Sequence, residues 1–139
     1  MKVLQQMVQN VTKALAFIGL FSLVIFIFIG KTFLSIWGEE FLDSYIPLII
    51  IASGQFINVS TGSNGVILMM TGHEKILGYL TLGTAIVNLI LNYILIHNYG
   101  ATGAAFSSAI TVSIENVIKV IIVKQKTGII TFPYLKNKL

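Results

Sequence analysis

The chain has 139 residues, of which 55% are hydrophobic and only 10% are charged, and its formal net charge is +4. Its mean hydropathy of +0.89 lies outside the range of soluble globular domains and indicates a membrane protein. Cysteine is absent, which excludes disulfides, thiol catalysis and cysteine-ligated metal sites. The lysines flank the apolar runs, a pattern that indicates membrane topology before it indicates nucleic-acid binding.

We predict an all-α polytopic membrane protein in which residues 1–139 form a single membrane region. Residues 1–13 are amphipathic, and they precede a first span over about 14–37 whose centre is apolar on every side. Three further spans are predicted, at about 46–71, 76–97 and 101–123. The tail over 124–139 is too short and too polar to cross a bilayer again.

Short polar segments separate the predicted spans. Residues 38–43 form a first loop that carries three of the five acidic residues, and Pro47 lies in the first turn of the second helix, where its missing N–H costs little. The segment 72–75 makes a short turn, 98–103 makes a glycine-bearing turn, and 124–128 ends the fourth helix.

The lysines predict the orientation of these spans. Four spans place both termini on one side, and seven of the nine lysines then lie on that side, whereas Lys31 lies near the opposite one. The positive-inside rule therefore predicts that both termini are cytoplasmic and that the acidic first loop is outside.

Polar residues recur at helical spacing within the spans. In the second span Gln55, Asn58, Gly62, Gly65 and Met69 are three or four residues apart, which puts them on one helix face. A lipid-facing helix has no reason to carry amides at mid-depth, so this face is predicted to pack inside a bundle or to line a pathway.

The third and fourth spans carry polar stripes of their own. One face of the third span has Thr81, Thr84, Asn88 and Asn92, and the fourth span has a small-then-charged stripe at steps of four: Gly103, Ser107, Thr111, Glu115 and Lys119. A polar interior is expected from this concentration of polar residues on successive helices.

Two readings of the polar side chains remain open. The amides Gln55, Asn58, Asn64, Asn88 and Asn92 are candidates for a substrate pathway, but they equally fit interhelical hydrogen bonds of about 0.6 kcal/mol each. Glu115, the only acidic residue within a predicted span, fits either a proton, ion or headgroup contact in an aqueous cavity or a neutralised pair with Lys119 one turn later.

Small residues are predicted to mediate helix packing, because they permit close approach of two backbones. The candidates are Gly54, Gly62, Gly65, Gly103 and Ser107. No metal site is predicted, since the two histidines lie at opposite membrane faces. No phosphate loop, catalytic triad or zinc motif occurs, so neither a cofactor nor an enzymatic activity is expected.

An ordered series of short motifs resembles a known family. The motifs are Trp-Gly-Glu-Glu-Phe at 37–41, Gly-Gln-Phe-Ile-Asn at 54–58, Gly-Val-Ile-Leu-Met-Met-Thr-Gly-His-Glu-Lys at 65–75, Asn-Leu-Ile-Leu-Asn at 88–92 and Tyr-Gly-Ala-Thr-Gly-Ala-Ala at 99–105. Together they resemble the polysaccharide (O-antigen type) flippases of the multidrug/oligosaccharidyl-lipid/polysaccharide transporter superfamily, over nearly the whole chain.

The resemblance implies a prokaryotic inner-membrane transporter that moves an undecaprenyl-pyrophosphate-linked oligosaccharide between leaflets. Such transporters have two lobes around a central cavity, and the four spans here match only the last part of the second lobe. The chain is therefore expected to be a fragment, a truncated reading frame or one piece of a split gene. The missing first lobe, or a second copy, would complete the cavity, and of this chain's lysines only Lys119 and Lys31 could meet the pyrophosphate.

Other functions remain open from the sequence. A cation-coupled multidrug exporter of the same superfamily would use Glu115 as its coupling carboxylate. A small homo-oligomeric four-helix carrier is disfavoured, since such exporters carry an essential glutamate in the first helix and the first span here has none. A non-transporting membrane subunit, or an unselected remnant, is the remaining alternative.

Overall fold

A computed structural model describes residues 2–131, and every regular element among them is helical. Helix α1 covers Lys2–Ser35, a 3₁₀ helix covers Glu39–Ser44, α2 covers Tyr45–Ser60, α3 covers Asn64–Met70 and α4 covers Glu74–Thr127. The all-α prediction is therefore confirmed for the described residues. The predicted tail over 124–139 lies beyond the described residues from position 132 onward.

Three of the helical segments are long and apolar enough to cross a membrane, namely Gln5–Ser35, Glu39–Ser60 and Glu74–Thr127. The sequence predicts four spans, whereas helix length and composition in the structure support three. Part of the difference lies in α4, whose 54 residues correspond to about 80 Å, far more than the roughly 30 Å of a bilayer core.

Helix α4 folds back on itself at Gly100. This residue has φ 56° and ψ −135°, outside the helical region, in the glycine-bearing turn that the sequence predicts. Side chains on either side of it then meet in antiparallel register, since Asn88 bonds to Ser107 and Thr81 bonds to Glu115. We refer to residues 74–99 as α4a and to residues 101–127 as α4b.

The second predicted span is interrupted, contrary to the expectation of one helix over 46–71. Helix α2 ends at Ser60, and Gly62 adopts a φ of +84° that an α-helix does not allow. The Asn64 side chain donates to the Thr61 carbonyl oxygen at 2.7 Å, which satisfies a backbone group released at the end of α2. The polar face predicted from Gln55 through Met69 is therefore split between two helices.

The other predicted boundaries hold more closely. Residues 2–13 and the first span form one continuous helix that ends at Ser35, two residues before Trp37. Pro47 is the third residue of α2, and Gly128 caps α4 in the left-handed conformation, as its position after the last lysines predicts. The acidic first loop contains the 3₁₀ helix.

The long helices form a single layer in the order α1, α2, α4b, α4a. Helix α2 packs on α1 through one side and on α4 through the other. A Cβ atom at Gly54 would lie 2.9 Å from the Ala109 Cα atom, so the backbones of α2 and α4b approach closely there. An apolar cluster of buried side chains lies at one end of this layer. Among the described residues it consists of Leu68, Val123 and Ile129.

Candidate functional site: the polar face of the helical layer

The helical layer has one apolar face. A shallow groove of about 470 Å³ runs between α2 and α4b on this face, and Ile57, Phe106, Ile110 and Ile114 line it. These four side chains are 39–48% exposed. Since no apolar neighbour covers them among the described residues, this face is suited to contact with lipid tails.

The opposite side of the same helices carries polar side chains among apolar ones, since Gln55 there also lines an apolar groove between α1 and α2 with Ile18 and Ile51. At about 100° per residue, Gln55 lies roughly 160° around α2 from Ile57, and Lys119 lies roughly 180° around α4b from Ile110. Asn58 lies one turn from Gln55, and Glu115 one turn from Lys119. We call the surface that carries Gln55, Asn58, Glu115 and Lys119 the polar face.

Glu115 is the centre of the polar face. Its carboxylate accepts from the Lys119 ammonium at 2.7 Å and from the Thr81 hydroxyl at 3.0 Å, and the Thr84 hydroxyl lies 3.1 Å from its second oxygen. The two charged side chains are only 16–17% exposed. The arrangement joins α4a to α4b and keeps the net charge of the cluster at zero.

The two amides of α2 are bonded to one another. Asn58 Nδ2 donates to Gln55 Oε1 at 3.0 Å, and the pair lies on an exposed part of the helix. Each amide keeps hydrogen-bonding capacity beyond this single bond, because Gln55 has two N–H donors and Asn58 has a carbonyl oxygen. The pair therefore offers both a donor and an acceptor to a polar group that approaches the layer.

Asn88 and Asn92 lie in the seam between α4a and α4b. Asn88 Nδ2 donates to the Ser107 hydroxyl at 3.1 Å and to the Thr111 hydroxyl at 3.3 Å, and Asn92 Nδ2 donates to Asn88 Oδ1 at 2.8 Å. The Ser107 hydroxyl returns a bond to the Asn88 carbonyl oxygen at 3.2 Å. For Asn88 and Asn92 the structure thus contains the interhelical hydrogen bonds that the sequence analysis gave as the alternative to a substrate pathway. Asn92 Oδ1 is buried and has no hydrogen-bond partner in the described part of the chain.

Asn64 lies apart from the polar face, because the break after Ser60 moves it out of the register of Gln55 and Asn58. Its side chain is 1% exposed and sits at the compact end of the layer, where Oδ1 has no hydrogen-bond partner among residues 2–131. Its structural role is to bond the Thr61 carbonyl oxygen at the end of α2. The candidate pathway residues are thus divided among the polar face, the seam and the helix break.

The predicted packing residues differ in how closely they approach their neighbours. Gly54 meets the Ala109 backbone, and a Cβ atom at Gly62 would collide with the Thr12 side chain. A Cβ atom at Gly103 would overlap the Leu95 carbonyl group just beyond the turn, and Ser107 is fully buried in the seam. Gly65 has only an ordinary contact, with Leu77 at 3.9 Å, so its helix-packing role has the least support in the distances.

Sequence reasoning missed several contacts that position the site. It placed Thr81 and Thr84 on a stripe but did not pair them with Glu115, and it did not single out Gly19, whose Cβ atom would lie 2.6 Å from a Val59 methyl carbon. The sequence signal that could have paired Thr81 with Glu115 is their spacing on either side of the predicted turn at 98–103. Thr81 and Glu115 lie at similar distances on either side of 98–100, so a hairpin brings them together.

No cluster of three or more His, Cys, Asp or Glu side chains suited to a metal ion occurs among residues 2–131. The ends of the layer have opposite charge. Glu39, Glu40 and Asp43 lie in the 3₁₀ helix region at one end, and exposed lysines lie around the compact end. The polar face therefore runs between an acidic end and a basic end of the layer.

Taken together, the fold and the composition define a helical protein with segments that can cross a membrane. The chain is 29% identical over 108 residues to the capsular polysaccharide biosynthesis protein CapF of Staphylococcus aureus. The match covers 74% of this chain and 27% of the relative, so the chain spans about a quarter of the length of that relative. No family model matches the chain, and no solved structure matches it. That relative is named for polysaccharide biosynthesis, and its name states no transport function.

Proposed function

We propose that the chain forms part of a membrane transporter that flips a lipid-linked oligosaccharide, an undecaprenyl-pyrophosphate-linked O-antigen or polysaccharide repeat unit, across the cytoplasmic membrane. The observation that carries the proposal is the two-faced layer, with Ile57, Phe106 and Ile110 on one side and the polar face on the other. The similarity to a capsular polysaccharide biosynthesis protein and the ordered motif series support the same conclusion.

In this proposal the membrane is crossed four times, as the motif resemblance implies. The halves α4a and α4b, of about 39 and 40 Å, would each cross, because either is longer than a bilayer core of roughly 30 Å and Gly100 reverses the chain between them. The basic end would face the cytoplasm and the acidic 3₁₀ helix would face outside. The layer then forms part of the second lobe of the two-lobed transporter fold.

The polar face suits the glycan part of such a substrate. Amides and hydroxyls exchange hydrogen bonds with sugar hydroxyls, and a sugar moved through hydrocarbon without such partners would lose several kcal/mol per unsatisfied group. Gln55 and Asn58 keep free donor and acceptor capacity for this purpose, whereas Asn88 is engaged within the seam. The polyprenyl tail would remain in the bilayer and never enter the polar path.

A single layer cannot enclose a pathway, so the proposal requires a partner surface. Gln55 is exposed, and no described residue covers it. The other lobe of the transporter is the expected cover, and a second copy of this chain is the alternative. Either would place the polar face opposite another polar surface, as intramembrane ionisable residues require.

The proposal is tested by removing the amide pair in the native gene. Gln55→Leu combined with Asn58→Leu keeps the helix and removes the free donors and acceptors. We expect loss of surface polysaccharide and accumulation of the lipid-linked repeat unit on the cytoplasmic side. The control is Ile57→Leu on the apolar face, which should leave export unchanged. Normal export in a gene deletion would refute the proposal.

A cation-coupled multidrug exporter is the second candidate, favoured by the position of Glu115 among Thr81, Thr84 and Lys119. Glu115→Gln combined with Lys119→Met separates the two functions, because it removes both charges and leaves neither unpaired. The double variant should abolish drug extrusion if Glu115 is the coupling carboxylate, and it should reduce glycan export only slightly if the two charges serve only to neutralise each other. Cross-linking of single-cysteine variants into dimers would show that a second copy of this chain, as in a small homo-oligomeric carrier, covers the polar face in place of the other lobe, and the cysteine-free chain suits this measurement.

A further inference from the structure

Four exposed lysines gather at the compact end of the layer. Lys13 follows Thr12, which lies against Gly62 at the end of α2, and Lys75 is in the first turn of α4a, near Leu77 in the apolar cluster. Lys124 and Lys126 lie in the last turn of α4b. The ends of α1 and α4b are tied together by a hydrogen bond from Gln9 Nε2 to the Ile130 carbonyl oxygen at 3.3 Å.

The positive charge at this end is not neutralised within the described part of the chain. The ion pair in the described part of the chain joins Glu115 and Lys119, which lie well inside the layer, and it involves none of the four lysines. Among the described residues, Glu74 is the one carboxylate that neighbours them in the sequence, so the described group has an excess of three positive charges. The opposite end differs in sign, because Glu39, Glu40 and Asp43 there outnumber Lys31.

Helix α3 adds exposed apolar side chains at the same end of the layer. Leu68 is fully buried in the cluster with Val123 and Ile129, which fixes one side of this short helix. Its other side exposes Val66, Met69 and Met70, with exposed fractions of 54%, 59% and 83%. Exposed apolar side chains and lysines at the same end of the layer suit the boundary between headgroups and acyl chains.

We propose that this end of the layer, Lys13, Lys75, Lys124 and Lys126 with Met69 and Met70, is a docking surface for anionic phospholipid headgroups. The lysines bind the phosphates, and the methionines enter the acyl-chain boundary below them. The charge excess is complementary to an anionic leaflet. The apolar cluster and the Gln9–Ile130 hydrogen bond join α1, α3 and α4 at this end. The proposal is independent of what the chain transports.

The test measures lipid selectivity. The purified protein is placed in nanodiscs that contain phosphatidylcholine with or without phosphatidylglycerol, and the lipids that remain bound after mild detergent extraction are counted by native mass spectrometry. We expect selective retention of phosphatidylglycerol that weakens about fivefold for each lysine changed to Gln, from roughly 1 kcal/mol per basic residue at an anionic surface. Lys13→Gln, Lys75→Gln, Lys124→Gln and Lys126→Gln together should abolish the selectivity.

Two controls isolate the charge of this surface. Lys31→Gln at the acidic end should retain full selectivity, and the four Lys→Arg changes should restore it without altering the charge. Equal retention of the two lipids by the wild-type protein would overturn the proposal. Unchanged selectivity in the quadruple variant, with helical content checked by circular dichroism, would do the same. Displacement of bound phosphatidylglycerol by millimolar inorganic phosphate would show that the lysines bind a free anion instead.

Discussion

Two helix contacts in this molecule are built on different principles. Between α1 and α2 the chain uses shape, since Gly19 lies against Val59 and Phe56, and Gly30 lies against Tyr45. Between α4a and α4b it uses polar groups, in one cluster around Asn88 and a second around Glu115. Both contacts join antiparallel helices that are predominantly apolar, so the difference is not a consequence of composition alone.

The difference matters because association in a bilayer has no hydrophobic driving force. A contact made by small residues gains van der Waals energy from close approach, and it fails when volume is added. A contact made by hydrogen bonds gains about 0.6 kcal/mol per bond on average, and it fails when a partner is removed. The first type is insensitive to polarity, whereas the second can exchange its partners with a polar substrate or water.

Helix α2 connects the two contacts. The side of α2 that faces α1 is apolar apart from Gln55. Ser53 lies on the opposite side of α2, which faces α4b and where Gly54 meets Ala109. The polar face begins at Gln55 and continues across α4b to Glu115. The shape-based contact therefore holds α2 in place while its amides stay available, which is the division of roles that the proposed pathway requires.

The largest expected effect is on the polar contact, from Lys119→Met. Loss of the ammonium leaves Glu115 without its partner at 2.7 Å, and an uncompensated charge in a span is unfavourable by roughly 2.5–3.5 kcal/mol. Unfolding by sodium dodecyl sulfate in bicelles should shift by about this free energy. Lys119→Met combined with Glu115→Gln should regain most of the loss, because replacing both charges removes the imbalance. An equally unstable double variant would contradict the neutralised-pair interpretation.

The next effect concerns the shape-based contact. Gly19→Leu adds a side chain where even a Cβ atom would lie 2.6 Å from Val59 Cγ2, so we expect destabilisation of about 1–3 kcal/mol by overpacking. The same unfolding measurement checks it. Gly83→Leu is the matched control, since a Cβ atom at Gly83 would meet nothing within 4 Å. If the two variants lose equal stability, the α1–α2 contact does not depend on close approach.

These contacts show how far the sequence alone could lead. The stripe at Gly103, Ser107, Thr111, Glu115 and Lys119 follows directly from helical spacing, and the structure places it in or beside the seam. The turn near Gly100 follows from its glycines. Which stripe meets which is a tertiary property, so the bonds from Thr81 and Thr84 to Glu115 could not be read from periodicity alone.

The break after Ser60 shows the opposite case. The charge-free run from 44 to 73 is as long as a span, and length is the strongest sequence signal for a membrane helix. Gly62 is a possible sign of a helix break, but isolated glycines are common within membrane helices and do not by themselves end them. The decisive factor is local hydrogen bonding by Thr61 and Asn64, which competes with the helix. Asn64 therefore belongs to the helix break and not to the face of Gln55.

A smaller effect is expected within the seam. Asn88→Leu removes the donor to Ser107 and Thr111 and the acceptor of Asn92, so we expect a loss of about 0.6–1.7 kcal/mol. A double-mutant cycle with Ser107→Ala measures the coupling directly. Asn98→Leu is the control, because Asn98 is exposed and bonds only the Ile94 carbonyl oxygen of its own helix. A coupling energy near zero would show that the seam is held by packing, like the α1–α2 contact.

The smallest effect tests whether the α1–α2 contact contains a polar component. The Tyr45 hydroxyl donates to the Ile27 carbonyl oxygen at 2.8 Å, while its ring lies against Gly30 and 5.2 Å from the Lys31 ammonium. Tyr45→Phe removes the hydrogen bond and keeps the ring, so we expect a loss of about 0.6 kcal/mol.

Tyr45→Leu removes the ring as well, together with its packing on Gly30 and its interaction with Lys31, and should destabilise the protein distinctly more. Tyr79→Phe provides the baseline, because Tyr79 is 77% exposed. If Tyr45→Phe alone were as damaging as Gly19→Leu, a single hydrogen bond would dominate the contact. The two contacts would then differ in the number of their polar groups and not in the kind of force that holds them.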